Sequence, residues 1–431
     1  MENSRRQPGF RADIAAVPRR TSTATAPRSK VPTGYRQLEY VSTIDDSRQP
    51  CALWVPEGYT AHKSWPLLIV LHGSDADHRM IPEECFQIPK HGFDDRILLL
   101  SPFGRGDVDW RWMGEADLWE TLRLVRETYR IDGRRIYLAG LSMGGFATWR
   151  LGAEFPDQFA TIVPICGGGD PATMPALKRK PIWCVHGDSD EVVPVEQSRT
   201  LVAALRKLDS PVRYDELEGH GHDSWTWLLQ PGRRRAFVDW LLEHKQTTAA
   251  PVVPGPRRAG HFADLFGERL IITHPTASAI PQEANLLRAE AEKLARFQFG
   301  DRAMRSGKLR VKPDAELTAG DLGEANLLVL GRSDNHTVLR RAGKRLLARH
   351  DSGRLVFRGE TLLGKNWAAA TVQAGPWNRS RLLGLITYQQ RGQIAGLAGR
   401  FMEQLDGMGA TNLLDTRSGV LSAFSGRAGA V

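Results

Sequence analysis

Short apolar runs alternate along the chain with longer segments in which apolar residues recur at helical spacing. Short runs bounded by turn residues predict strands, whereas recurrence every three or four positions predicts helices. Leu118, Leu122 and Val125, for example, share one face of a helix predicted over 115–129. Regular alternation of the two element types predicts a mostly parallel sheet with helices on both faces.

The alternation occurs twice. The first series predicts strands at 37–42, 52–56, 66–71, 96–101, 135–139, 159–165, 181–186 and 212–217, and helices at 115–129, 144–154, 195–208 and 235–243. The second series predicts strands at 269–273, 309–312, 326–330, 368–372 and 382–388, and helices at 281–297, 335–347 and 393–405. Both series therefore predict α/β domains.

A proline-rich stretch, 247–260, separates the two series and predicts a linker. We therefore predict a disordered basic arm (1–34), a first α/β domain (35–246) and a smaller second one (261–431) with a Rossmann-like or flavodoxin-like sheet. No Gly-x-Gly-x-x-Gly follows the first strand of the second domain, so nucleotide binding is not indicated.

Composition and charge narrow the class of protein. The chain has 431 residues, of which 41% are hydrophobic and 25% charged, values typical of globular proteins. The first 36 residues carry six of the nine net positive charges. No zinc-finger spacing or stacking motif accompanies them, so no nucleic-acid partner is expected. No apolar run is long enough for a membrane span or a secretory signal, which predicts a cytoplasmic location.

The four cysteines, Cys51, Cys85, Cys166 and Cys184, are widely spaced. They form neither a Cys-x-x-Cys pair nor a Cys/His cluster, so the sequence predicts no metal site and no disulfide framework.

Gly140-Leu141-Ser142-Met143-Gly144 stands between a predicted strand and a predicted helix. A serine in this Gly-x-Ser-x-Gly turn projects its hydroxyl above the sheet, as a nucleophile requires. The N–H of Met143 is then placed to donate to an oxyanion, and a second donor is expected from Gly73 or Ser74 after an early central strand.

A nucleophilic serine needs a histidine base and a carboxylate, in the chain order Ser, Asp, His. Acids follow the strand 181–186 at Asp188, Asp190 and Glu191. The last strand of the first series leads to His220 and His222, of which the spacing from the acids favours His222.

Two tryptophans, Trp110 and Trp112, follow another strand end and could line an acyl or sugar site. The alternative is that they shape a rigid loop.

With these motifs assembled, residues 35–246 resemble α/β-hydrolases of the group that includes feruloyl esterases, polyhydroxybutyrate depolymerases and prolyl oligopeptidase-like hydrolases. In that group Gly-x-Ser-x-Gly-Gly carries the nucleophile, His-Gly-x-x-Asp-x-x-Val-Pro the acid and Gly-His-Asp-Ser-Trp the base. The resemblance implies a triad of Ser142, Asp190 and His222, adds Trp225 as a candidate substrate contact, and implies no metal or organic cofactor.

The expected activity is that of a serine carboxylester hydrolase, such as a feruloyl or acetyl esterase whose substrate is a small-molecule or carbohydrate-linked ester. The alternatives are a serine peptidase or acyltransferase with the same triad, or a binding or assembly protein that carries a hydrolase domain.

Overall fold

The computed structural model describes residues 15–16, 31–251, 261–276, 281–296, 309–351, 353–402, 408 and 411–424. Most of the predicted basic arm and most of the predicted linker lie outside these residues. The chain divides into two compact units. The first comprises 1–41, 48–104 and 117–254, and the second comprises 42–47, 105–116 and 255–431. Within the described ranges, no helix combines the length and apolar character required to cross a bilayer.

A nine-stranded sheet forms the centre of the first unit. Its strands are β1 (Ala15–Ala16), β2 (Gly34–Val41), β3 (Arg48–Val55), β4 (Trp65–Leu71), β5 (Leu98–Pro102), β6 (Ile131–Leu141), β7 (Thr161–Ile165), β8 (Ile182–Gly187) and β9 (Val212–Leu217). They lie in the order β1-β2-β3-β5-β4-β6-β7-β8-β9. Every neighbouring pair from β5 to β9 is parallel, as the sequence predicts.

Six α-helices lie wholly or partly within the described residues of the first unit, and the second of them begins in the segment 105–116 of the second unit. They are α1 (Ile88–His91), α2 (Met113–Thr128), α3 (Met143–Glu154), α4 (Glu196–Arg206), α5 (Trp225–Leu229) and α6 (Pro231–Leu242). A π-helical turn, Met80–Cys85, and a 3₁₀-helix, Pro171–Leu177, complete the helical elements. All residues of β4, β7 and β8 are buried, as expected for central parallel strands between two helical layers.

The strand order decides where chemistry can occur. β6, β7, β8 and β9 are consecutive parallel neighbours, so the loops that follow them leave the same edge of the sheet. Ser142 follows β6, Asp190 follows β8 and His222 follows β9. The topology thus gathers the three predicted side chains at one edge.

The second unit contains a seven-stranded sheet and a small three-stranded one. Its strands are β10 (Leu270–His274), β11 (Arg310–Pro313), β12 (Asn326–Leu330), β13 (Ala348–Asp351), β14 (Arg354–Phe357), β15 (Glu360–Thr361), β16 (Trp367–Ala374), β17 (Leu382–Tyr388), β18 (Thr411–Asp415) and β19 (Leu421–Phe424). Its α-helices are α7 (Pro281–Leu294), α8 (Ala319–Glu324), α9 (Thr337–Ala342) and α10 (Leu397–Met402). Its 3₁₀-helices are Phe262–Gly267, Asp314–Glu316, Gly343–Arg345 and Arg391–Gln393.

The larger sheet of this unit has the order β11-β10-β12-β17-β16-β18-β19. Its first four strands are parallel, and their order matches the start of a flavodoxin-like sheet. The last three strands are antiparallel to their neighbours, so the sheet is mixed. The second-domain prediction of an α/β alternation is therefore confirmed for its parallel half.

The bounds of the helices predicted for the second unit are wrong in part. The helix predicted over 281–297 ends at Leu294. The helix predicted over 335–347 comprises only Thr337–Ala342, because Gly343 has a φ of 55° and ends it. The helix predicted over 393–405 begins at Leu397, and its predicted end lies outside the described residues.

Two short segments inside the range predicted as the first domain belong to the second unit, namely Ser42–Ser47 and Arg105–Ala116. Ile44, Val108 and Met113 from these segments join one hydrophobic cluster of buried side chains with Phe262 and Phe266. Segments of the two units thus alternate along the sequence, and local patterns of hydrophobicity do not reveal this.

A buried ion pair links the two segments. The guanidinium of Arg105 lies 3.0 Å from Asp45, and both side chains are fully buried. Burial alone would raise the pKa of Asp45, but the hydrogen bonds and charge of Arg105 lower it. Asp45 is therefore ionised in the folded protein at neutral pH.

We expect Arg105→Ala to lower the free energy of unfolding by about 3–5 kcal/mol, because it leaves a buried carboxylate without its counter-charge. Urea unfolding followed by circular dichroism measures the change. Arg123→Ala is the control, since Arg123 pairs with Glu127 at a largely exposed site and its loss should cost less than about 1 kcal/mol. Equal losses in the two variants would contradict this account.

Candidate active site

The turn between β6 and α3 holds Ser142 in an unusual backbone conformation. Its φ is 53° and its ψ is −119°, a left-handed value that L residues rarely adopt. The Ser142 N–H donates to the carbonyl of Ile165 at 3.0 Å, and the Ser142 carbonyl accepts from Phe146 N–H. These contacts fix the turn and project the hydroxyl above the sheet, as a nucleophile elbow requires.

Two glycines allow the close packing around this turn. A Cβ on Gly144 would lie 2.3 Å from the carbonyl oxygen of Leu71, the last residue of β4. A Cβ on Gly73 would lie 3.3 Å from the Cβ of Ser142 and still closer to the Leu141 side chain. The end of β4 can therefore approach the nucleophile only because both positions lack a side chain.

Ser142, His222 and Asp190 form one hydrogen-bonded row. The Ser142 Oγ lies 2.9 Å from His222 Nε2. On the other side of the ring, Nδ1 lies 2.8 Å from Asp190 Oδ2 and 3.0 Å from Oδ1. In this arrangement the imidazole can accept the serine proton at Nε2 while its Nδ1–H donates to the carboxylate.

Asp190 is buried and receives several hydrogen bonds. Its Oδ1 accepts from the backbone N–H of Val192 at 2.9 Å and of Val193 at 2.8 Å. Burial would raise the pKa of Asp190, but the hydrogen bonds from Val193, His222 and Val192 lower it. The carboxylate therefore stays ionised at neutral pH and can stabilise a protonated His222.

The competing residues from the sequence have other partners. Asp188 accepts hydrogen bonds from the Ser189 hydroxyl and from Gly219 N–H, which is the role of a turn residue. His220 Nδ1 lies 3.0 Å from the carbonyl oxygen of Glu218. The geometry brings Asp190 and His222, rather than Asp188 and His220, to Ser142.

The predicted oxyanion donors come from two places, the first turn of α3 and the loop after β4. Met143 is the first residue of α3, so its N–H has no partner within the helix and is available there. Gly73 packs against the Cβ of Ser142, and the following Ser74 is exposed. His72 lies with its ring nitrogens 2.8 Å from the carbonyl oxygens of Gly73 and Phe103, a position in which it orients this loop.

The three candidate tryptophans have different environments. Trp225 packs edge-on against the His222 ring, with ring centroids 5.4 Å apart. Trp110 is fully buried, and Trp112 packs against the hydrophobic cluster of the second unit. Of the three, Trp225 contacts the triad directly, while the burial of Trp110 fits the alternative of a rigid loop.

The sequence analysis missed the contact of His186 with the acid and the exposure of two apolar side chains. His186 is fully buried, with its Nε2 3.2 Å from Asp190 Oδ2. Phe146 and Val192 are large apolar residues that remain exposed, although they follow the nucleophile and the acid closely in sequence. His186 is part of the His-Gly-x-x-Asp motif, so a signal was present, whereas nothing in the pattern marked the exposure of the other two.

Cys166 Sγ, Asp190 and His222 place three potential metal-ligand atoms within 4.8 Å of one another, the one such group among the described residues. Burial raises the pKa of the Cys166 thiol to about 12. The carboxylate and the imidazole already hydrogen-bond to each other, and the carboxylate also accepts from Val192 and Val193. The donor set therefore favours a hydrogen-bonded triad over a metal centre.

Comparison with known proteins agrees with this geometry. Residues 44–230 match the family model Esterase, described as "Putative esterase". They form a hydrolase domain of the α/β-hydrolase esterase type. The family and the fold class that the sequence predicts for this part of the chain are thereby confirmed.

Relatives of the hydrolase domain include a bifunctional acetylxylan esterase/xylanase of Neocallimastix patriciarum, 26% identical over 172 residues, or 38% of this chain and 26% of the relative. A protein of Arthroderma benhamiae described as an uncharacterized secreted protein is 26% identical over 256 residues, or 49% of this chain and 25% of the relative. A solved structure described as a thermostable esterase is 28% identical, with a TM-score of 0.43, and the match covers 49% of this chain and 64% of that one.

The chain thus spans about a quarter of the length of these two curated relatives. One of them is called secreted, whereas the cytoplasmic location of this chain stays a prediction.

We expect Asp190→Asn to lower kcat for p-nitrophenyl acetate by on the order of 10³–10⁴-fold, because an amide cannot hold His222 in the required tautomer. Asp188→Asn is the matched control and should stay within about threefold of wild type, since its partners lie in a turn. Steady-state rates measure both. A large loss in the Asp188 variant with an active Asp190 variant would reverse the assignment.

Proposed function

We propose that the protein is a serine carboxylester hydrolase that forms an acyl-enzyme on Ser142. The observation that carries the proposal is the row of hydrogen bonds from Ser142 through His222 to Asp190. A serine hydroxyl is a weak nucleophile at neutral pH unless an adjacent base accepts its proton. The match of this part of the chain to the esterase family model supports the same chemistry.

In the first half-reaction the Ser142 Oγ bonds to the ester carbonyl carbon while its proton passes to His222 Nε2. The carbonyl oxygen becomes an oxyanion, which the N–H groups of Met143 and of the Gly73–Ser74 loop stabilise. The tetrahedral intermediate then breaks its bond to the alcohol oxygen, and the alcohol leaves with the proton from His222.

In the second half-reaction a water molecule gives a proton to His222 Nε2 and bonds to the acyl carbon. The bond to Ser142 Oγ breaks, the serine regains the proton and the carboxylic acid leaves. Asp190 stays ionised throughout and stabilises the imidazolium at each step, which its several hydrogen-bond donors permit.

We further propose that the ester joins an acyl group, such as acetyl or feruloyl, to a carbohydrate. One relative is named an acetylxylan esterase/xylanase, which supports a carbohydrate-linked ester. Trp225 lies against the base, and Phe146 and Val192 are exposed apolar side chains close in sequence to the nucleophile and the acid. Apolar and aromatic surface of this kind suits a bulky or planar acyl group.

We expect the wild-type protein to hydrolyse p-nitrophenyl acetate and methyl ferulate but not a prolyl-peptide anilide. Ser142→Ala should lower ester turnover by at least about 10³-fold, because no other nucleophile is activated at this site. Initial rates on the three substrates measure both points. Cleavage of the anilide would favour a peptidase, and unchanged turnover in the variant would remove Ser142 from the mechanism.

We expect Trp225→Leu to lower kcat/KM for methyl ferulate about 3–10-fold more than for p-nitrophenyl acetate, because an aromatic acyl group loses its stacking partner. Trp227→Leu is the control, since Trp227 lies on the same helix but stacks with the guanidinium of Arg233 at 3.7 Å. An equal loss on both esters would indicate that Trp225 supports His222 and does not bind the acyl group.

A further inference from the structure

A second histidine contacts the carboxylate of the triad. His186, near the end of β8, is fully buried and lies four residues before Asp190. Its Nε2 is 3.2 Å from Asp190 Oδ2 and 2.9 Å from the carbonyl oxygen of Val193. Asp190 Oδ2 thus lies between two imidazoles, that of His222 at 2.8 Å and that of His186.

The other ring nitrogen of His186 faces a hydroxyl. His186 Nδ1 lies 2.7 Å from the Oγ of Ser198 on α4, which is also buried and lies 3.1 Å from the carbonyl oxygen of Gly167. Both partners of Nε2 are acceptors, whereas the hydroxyl beside Nδ1 can donate or accept, so a neutral His186 with its proton on Nε2 gives each ring nitrogen a matching partner. The single proton of the Ser198 hydroxyl then has two acceptors within reach, Nδ1 at 2.7 Å and the Gly167 carbonyl oxygen at 3.1 Å, and the shorter distance favours donation to Nδ1.

Burial lowers the pKa of His186, and the hydrogen bond to Val193 and the charge of Asp190 only partly oppose it. A neutral ring at this position donates one hydrogen bond without adding a charge that would compete with His222. It therefore differs from His222, which must gain and lose a proton in each half-reaction.

We propose that His186 is a positioning residue whose Nε2–H is shared between the Val193 carbonyl oxygen and Oδ2 of Asp190, and which thereby sets the orientation and basicity of the carboxylate toward His222. The proposal rests on the hydrolase function proposed above. Asp190 then has a fixed set of donors, with the backbone N–H groups of Val192 and Val193 on Oδ1 and the two histidines on Oδ2.

The proposal has a consequence for pH dependence. When a carboxylate loses one hydrogen-bond donor, its negative charge is less stabilised by the protein. It then interacts more strongly with a protonated His222. Loss of the His186 donor should therefore favour the imidazolium of His222 and move the acid limb of the kcat/KM profile to higher pH. A residue that merely filled space would lower activity at every pH without moving the limb.

Other titratable groups lie near His186, Ser198 or Asp190, and they are the same in all variants. Besides Asp190 and His222, they are Cys166 at the end of β7, Cys184 on β8 and Glu216 on β9. Burial raises the pKa of both thiols to about 12, so neither titrates near neutral pH. Glu216 interacts with Arg199, which lowers its pKa. None of the three therefore produces a limb near neutral pH.

The test compares two substitutions that each preserve one nitrogen position of the ring. The amide nitrogen of His186→Gln reaches the place of Nε2 and keeps the donor to Asp190, whereas that of His186→Asn reaches only the place of Nδ1. For p-nitrophenyl acetate we expect the Asn variant to lose about 10-fold or more in kcat/KM, as for a lost hydrogen bond to a charged group. The acid limb of its kcat/KM profile should move to higher pH by about 0.5–1 pH unit, while the profile of the Gln variant keeps the wild-type acid limb.

An acid limb that stays in place in a folded Asn variant, or that moves equally in both variants, would overturn the proposal. Nitrogen NMR of the wild-type protein with labelled histidine is the second measurement, and it needs no variant to fold. We expect a neutral His186 with its proton on Nε2 on both sides of neutral pH. A proton on Nδ1 alone, or titration of His186 together with His222, would equally overturn it.

The two measurements also separate this proposal from the hydrolase function. If the wild-type protein turned over no ester, the proposed function would fail, while the NMR experiment would still decide the protonation of His186. If wild type were active and the variants behaved alike, the function would stand and the positioning role would fail.

Discussion

The left-handed backbone at Ser142 is the constraint on which the rest of the site depends. A conformation of this kind costs about 1–3 kcal/mol and persists only where surrounding packing determines it. Here the packing is the contact of Gly144 with the end of β4 and the hydrogen bond of Ser142 N–H to Ile165. The same contacts bring the Gly73 loop and the first turn of α3 to the hydroxyl, so strain, oxyanion donors and nucleophile have one structural origin.

At the other end of the hydrogen-bonded row from Ser142, burial determines the electrostatics of Asp190. Burial would raise the pKa of Asp190, but hydrogen bonds from the backbone N–H groups of Val193 and Val192 and from His222 lower it, so the carboxylate stays charged at neutral pH. A buried carboxylate of this kind holds a protonated His222 more strongly than an exposed one would. The neutral His186 behind it adds a donor without a charge, so His222 is the imidazole that takes up and releases the proton in each half-reaction.

Much of the central sheet in each unit could be predicted because its signals are local. β9, β12 and β17 have the predicted bounds, and the Gly-x-Ser-x-Gly turn lies between strand and helix as expected. Signals that depend on distant packing were missed. The segments Ser42–Ser47 and Arg105–Ala116 are short and group with the second unit, and β13 to β15 are too short for a clear alternation. His186 was visible in a motif, but its contact with Asp190 depends on how the loop after β8 folds back.

The central claim is that Ser142 attacks the ester and carries the acyl group between the two half-reactions. The direct measurement is to mix the protein with p-nitrophenyl acetate, quench with acid before turnover is complete, and map the acetylated peptide by mass spectrometry. The account predicts one acetyl group on the peptide that contains Ser142, and its absence in Ser142→Ala. An acetyl group on another residue, or ester turnover with no covalent intermediate in any peptide, would contradict it.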